Sequence, residues 1–229
     1  MIRPDVMILA AGFGTRMGAL TADKPKPLIK VAGRALLDHA ITAAQDGGGR
    51  IVVNAHYHAD QIATHLTQYP DIHLSDEQPQ ILDSGGGVKR ALPHLRTSPI
   101  ATLNADAVWA GQGPLSALAT AWDAGRMGAL MLLVPRARAH GRLGGGDVAL
   151  GADGRLTWDR SDAALVHTGA QLIDPAVIAA HPGAVFSLRD IWQDQMDRGR
   201  LFGVVYPGHW ADVGHPDGIA VAEAMVTHA

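Results

Sequence analysis

The sequence predicts an α/β fold: a mainly parallel sheet flanked by helices, with a small antiparallel portion in the second half. Three observations predict it. Short apolar runs of β-type composition alternate with helical patterns up to residue 134. The tetrapeptide Gly151-Ala152-Asp153-Gly154 then separates two further short runs, as a hairpin turn would. No internal repeat, low-complexity tract or linker interrupts the 229 residues, so a single domain over 1–229 is expected.

The elements follow in order. Strands are read at 6–10, 51–54, 72–74, 100–104 and 129–134, each short and bounded by glycine, proline or polar residues. Their near-continuous apolar character is that of parallel strands buried on both faces. Helical spacing or composition covers 35–45, 60–68, 87–95 and 115–124 between them. The second half continues with hairpin strands at 147–150 and 156–159 and a strand at 164–173. Helices are expected near 175–180 and 187–198, a strand at 201–206 and a closing helix at 217–227.

Composition narrows the function classes. Lysine plus arginine is 19 and aspartate plus glutamate is 22, a formal charge of −3, without the basic footprint of a nucleic-acid binder. There is no cysteine, hence no disulfide and no thiolate metal site. No apolar run has the length of a membrane span. Pro4 and Asp5 sit where a signal peptide keeps its core unbroken. A cytoplasmic protein without nucleic-acid or membrane partners is expected.

The most informative segment is LAAGFGTRMGALTADKPKPL, Leu9 to Leu28. A buried strand runs into Gly12 and Gly14, and backbone N–H groups in such a turn can form a nest for phosphate oxygens. Thr15 and Arg16 follow. Lys26 lies between Pro25 and Pro27, on stiff backbone that suits a fixed cation. The P-loop consensus fails, because no lysine and serine or threonine follow the second glycine, and the dinucleotide fingerprint fails at Met17.

This run resembles the signature of the sugar-1-phosphate nucleotidyltransferases, with Ala19 where that family usually has proline. The resemblance implies a Rossmann-like nucleotidyltransferase fold whose antiparallel portion lies on the sugar side. It implies catalytic, triphosphate-binding cations at Arg16 and Lys26. The backbone of Ala10, Ala11 and Gly12, with Gly14 and Thr15, would approach the nucleotide.

Two aspartates then gain meaning. Asp106, in Asn104-Ala105-Asp106, lies just past a strand's carboxyl end, the edge where open α/β sheets collect their ligands. Asp212, in His209-Trp210-Ala211-Asp212-Val213-Gly214, is read at the end of the 201–206 strand. Magnesium takes oxygen ligands and is often held by one or two carboxylates plus substrate phosphates. The family carries an aspartate at both points, so the resemblance implies Mg²⁺ bound by Asp106 and Asp212.

The segment from Asp76 to Gly87 resembles the family's second nucleotide loop, read as a turn that opens a helix. Gln78 would meet the base edge, with Asp83, Ser84 and Gly85 beside it. The sugar side is loosely matched by Asn104, Gly146, Asp159 and Thr168, with Leu143-Gly144-Gly145 as an insertion. His56 and His58 suggest no metal site, since no third ligand is near in sequence; they precede a helix start. Short length, the SGGG turn and the YPGHWADVG ending resemble the family's small bacterial uridylyltransferases acting on N-acetylmuramic acid 1-phosphate. The expected partners are a nucleoside triphosphate and a sugar 1-phosphate. Mannose or glucose as the sugar and guanine or thymine as the base remain open, as do a silent regulatory domain and a nicotinamide dehydrogenase.

Overall fold

The structure, a computed structural model, describes residues 2–228. Strand β1 (Val6–Leu9) leads through the glycine-rich loop to a hairpin of β2 (Lys30–Val31) and β3 (Arg34–Ala35), then α1 (Leu36–Gln45). Next come β4 (Ile51–Ala55), α2 (Ala59–Leu66), β5 (His73–Asp76), α3 (Asp83–Ala91), β6 (Ile100–Asn104), β7 (Ala107–Ala110), α4 (Pro114–Ala121), β8 (Ala129–Pro135) and β9 (Ala139–His140). The second half holds β10 (Val148–Leu150), β11 (Leu156–Trp158), β12 (Leu165–Ile173), α5 (Pro175–Ala179), α6 (Leu188–Asp197), β13 (Leu201–Val205), β14 (His209–Asp212) and α7 (Asp217–His228).

The main sheet runs β5–β4–β1–β6–β12–β8–β13, and the β10–β11 hairpin joins the start of β12, with Val148 opposite Leu165. β1 pairs parallel with β4 and β6, and β4 with β5. β12 runs antiparallel to both β6 and β8. The sheet is therefore mainly parallel, as expected, with its antiparallel part where the hairpin was read. From β1 the chain builds outward to β4 and β5, then returns to the other side at β6. That reversal makes a crevice at the carboxyl ends of β1 and β6, the usual ligand position in such sheets.

Sequence and packing agree closely in the first strands. Val6, Met7 and Ile8 are fully buried because helices cover both faces of β1. Helix α1 sends Leu37, Ala40, Ile41 and Ala44 into one of these layers, and each large apolar side chain so buried contributes about 1.5–3 kcal/mol. Asp5 is buried at the foot of β1, where its carboxylate accepts from the backbone N–H groups of Arg50 (2.8 Å) and Arg96 (2.6 Å). It thereby ties the starts of two neighbouring segments to β1.

Two expectations are corrected. Asp212 does not end the 201–206 strand. It ends a separate strand, β14, in a three-stranded sheet β7–β14–β9 that the sequence reading did not contain. These strands have two to four residues and carry His, Trp and Asp, too little apolar alternation to stand out. Helix α3 starts at Asp83 rather than near 87, so Gly85, Gly86 and Gly87 are helical residues and not a turn. A Cβ at Gly85 would run into the Phe186 ring, at Gly86 into the Ala184 carbonyl and at Gly87 into Glu77. The three glycines are there for close packing.

Candidate active site

The loop after β1 closes on Lys26. Gly14 adopts φ +65°, the left-handed region that favours glycine, and a Cβ there would sit 2.8 Å from the Lys26 Cβ. The Thr21 hydroxyl donates to the carbonyls of Gly14 (3.1 Å) and Gly18 (3.2 Å), and the Tyr57 hydroxyl donates to the Thr21 carbonyl (2.9 Å). These ties hold the segment that carries Ala19. The one-turn helix Lys26–Leu28 follows, with Pro27 at its start, so the lysine stem is fixed and only 7% exposed. Loop, Lys26 and the ends of β1, β4 and β6 line a cavity of about 650 Å³. Ala10, Ala11, Gly12, Gly14, Thr15, Arg16, Lys26, Asp83, Ser84, Asn104 and Asp106 all face it.

The small sheet brings the two aspartates together. Asp212 pairs with Ala107 in the β7–β14 ladder, and the Val213 N–H donates to the Asp106 carbonyl at 3.0 Å. Burial raises the Asp212 carboxyl above the ordinary value, and the negative charge of Asp106 adds to that; Lys26, Arg142 and Arg16 oppose it. Lys26 Nζ lies 2.6 Å from Asp106 Oδ2, and Arg142 Nη1 lies 3.8 Å from Asp212 Oδ2. A Cβ at Gly214 would come within 3.0 Å of Asp212 Oδ1 and 3.3 Å of Arg16 Nη1, so this glycine lets cation and carboxylate approach. Two neighbouring carboxylates, Asp106 lining the large cavity and Asp212 buried beside it without lining it, suit a hard divalent ion that also draws oxygens from phosphates. No cluster of three or more histidine, cysteine or acidic ligands exists among the described residues, which leaves the substrate to complete such a site.

The MobA-like NTP transferase domain matches residues 6–199. The chain belongs to that family. It is 39% identical to the N-acetylmuramate alpha-1-phosphate uridylyltransferase of Caulobacter vibrioides, over 97% of both chains. It is 30% identical to the protein of the same name from Neisseria meningitidis serogroup B, over 96% of both. Among solved structures, HddC from Yersinia pseudotuberculosis complexed with GMP-PN superposes with a TM-score of 0.77 at 20% identity, covering 96% of this chain and 98% of that one. That likeness is one of fold. The chain is a nucleotidyltransferase.

Not every residue expected at the site lines this cavity. Gln78 does not line the cavity: its side chain donates to the His56 carbonyl (2.9 Å) and its own N–H to Asp76 (2.9 Å). The Gly85 N–H is used by the Phe186 carbonyl at 2.9 Å. Thr168 is buried with its hydroxyl donating to the Leu132 carbonyl (2.8 Å), and the Asp159 carboxylate accepts from the N–H (2.8 Å) and hydroxyl (2.9 Å) of Ser161. Gly146 lines a second cavity of about 370 Å³ instead.

Two polar side chains of the cavity, Asn54 and Glu77, were not among the expected residues. Asn54, at the end of β4, accepts the Ala10 N–H through Oδ1 (2.6 Å) and donates through Nδ2 to Glu77 Oε1 (2.6 Å). Glu77, 1% exposed, also accepts from the Leu82 N–H (2.9 Å). The chain Ala10–Asn54–Glu77–Leu82 thus locks the β1 loop to the start of α3. Their signal was position, since each polar residue lies at or just past a strand's carboxyl end.

Proposed function

We propose that this nucleotidyltransferase transfers UMP from UTP to N-acetylmuramic acid 1-phosphate, forming the nucleotide sugar and releasing pyrophosphate. The convergence of Asp106 and Asp212 beside Lys26, at the mouth of the glycine-loop cavity, is the observation that carries the chemistry. The choice of base and sugar is supported by full-length similarity to two uridylyltransferases of that substrate. With it, the reaction returns a cell-wall sugar acid to nucleotide-sugar synthesis in the cytoplasm.

A sugar 1-phosphate is mostly dianionic at neutral pH, its second pKa lying near 6 as in phosphorylated side chains. Its oxygen attacks the α-phosphorus without a general base, and the bond from that phosphorus to the pyrophosphate oxygen breaks. The protein's task is positioning and charge neutralisation. Loop amides around Ala11 and Gly12 cradle phosphate oxygens, while Arg16 and Lys26 hold the triphosphate and the departing pyrophosphate. Asp106 and Asp212 would hold a magnesium ion, which supplies charge neutralisation between the two phosphates. Ser84 and Asp83, with Asn54 and Glu77 behind them, shape the base end.

Pyrophosphate release, measured for the four ribonucleoside triphosphates and dTTP against a panel of sugar 1-phosphates, tests the reading. UTP with N-acetylmuramic acid 1-phosphate should lead, with dTTP tolerated, since a methyl group in a pocket is worth only about 1–3 kcal/mol. A preference for GTP or for mannose 1-phosphate would overturn it.

A further inference from the structure

The second cavity, of about 370 Å³, is not used by the chemistry above. It is lined by Arg142, Gly146, Asp147, Trp158, Arg160 and Arg189, so three guanidinium groups face one carboxylate. That carboxylate is already engaged, with Arg142 Nη2 3.1 Å from Asp147 Oδ1. Arg160 and Arg189 have no carboxylate within ion-pair distance among the described residues, and both are exposed. The setting of Arg189 is nonetheless ordered. The Arg189 guanidinium lies 4.7 Å from the centre of the Trp158 ring, and the Trp158 Nε1–H donates to Gln193 (2.7 Å).

Arg142 connects the two sites. The same side chain lines this cavity and reaches Asp212, so a single arginine separates the second cavity from the carboxylate pair. A sugar whose 1-phosphate lay at that pair and whose ring passed Arg142 would bring its far substituents toward Arg160 and Arg189. Muramic acid differs from glucosamine by a carboxyl-bearing ether on carbon 3, which extends the sugar by several bonds beyond the ring. Two unpaired guanidiniums at the far end of the path match a planar carboxylate, which arginine binds in a fork geometry.

We propose that Arg160 and Arg189 bind the carboxylate of the sugar acid and set the preference for it over the neutral sugar. The proposal rests on the reading that the acceptor is a sugar-acid 1-phosphate. Its test is the ratio of kcat/KM for N-acetylmuramic acid 1-phosphate to that for N-acetylglucosamine 1-phosphate, with UTP saturating. Wild type should favour the acid sugar. The double variant Arg160→Ala/Arg189→Ala should lower the ratio about 10- to 100-fold, mainly through KM for the acid sugar, as loss of charge-assisted hydrogen bonds does. Replacing both by lysine should restore part of it. A ratio unchanged in the double variant, including one in which both activities fall together, overturns the pocket while leaving the acceptor reading intact. A wild-type enzyme with no preference for the acid sugar overturns the acceptor reading, and the pocket with it.

Discussion

The glycine-loop half and the sugar-side half of the molecule are built on different terms. Around β1 the site is made by backbone: a left-handed glycine, a lysine stem fixed by prolines, and strand ends joined through Asn54 and Glu77. On the sugar side it is made by side chains from distant segments, with Arg142 bridging Asp147 and Asp212 and Arg189 over Trp158. A backbone cradle reads any phosphate and tolerates little change. A side-chain surface can be rewritten residue by residue.

The sharpest way to break this contrast is at the carboxylate pair where the halves meet. Asp106→Ala or Asp212→Ala should lower kcat by about 10³-fold, and the double variant should be little worse than either, because the two act as a unit. Kinetics across a magnesium titration check it; additive losses with unchanged magnesium dependence would make these carboxylates structural. Lys26→Ala should cost about 10²–10³-fold in turnover, as loss of a preorganised charge does, without weakening magnesium dependence. Near wild-type turnover at saturating substrates would remove it from the machinery.

Smaller effects sharpen the comparison. On the sugar side, His167 packs edge-on against Trp192, and burial pushes its pKa down to about 4. The folded state therefore resists protonation while the unfolded chain accepts it, so stability falls as pH drops from about 6.5 to about 4. The loss is at most about 3 kcal/mol, and urea unfolding of His167→Gln against wild type across that range should show a flatter slope. In the nucleotide half, Gly87→Ala forces a methyl against Glu77 and Asn54. It should destabilise by about 1–3 kcal/mol and raise KM for the triphosphate more than for the sugar phosphate. Equal effects on both substrates would erase the distinction between the halves.

The same contrast governs what could be read in advance. The span 100–104 was found unchanged, and β1, β4 and β8 lay within one residue of expectation at either end, because strands buried on both faces are uniformly apolar. The β1 loop, Arg16 and Lys26 were legible because the glycines and the proline-flanked lysine sit in one continuous stretch, and Asp106 because it lies just past a buried strand's carboxyl end. Asp212 was recognised as a residue but misplaced as an element, since β14 exists only by pairing with β7 and β9. Gln78 was read at the base edge from its place in the motif, and only the fold shows that its side chain turns to the His56 carbonyl while Glu77 faces the cavity. Arg160 and Arg189 are separate in sequence; the segment after β11 and helix α6 bring them to one cavity.

The ion pair between Lys26 and Asp106 has a consequence for the balance of charge at the site. The Lys26 ammonium, 2.6 Å from Asp106 Oδ2, compensates that carboxylate directly, and it is one of three cations that hold the neighbouring Asp212 carboxyl down against burial and the charge of Asp106. Removing the lysine therefore takes an ion-pair partner from one aspartate and a counterweight from the other. Lys26 is a tether for the carboxylate pair as well as a cation that faces the cavity.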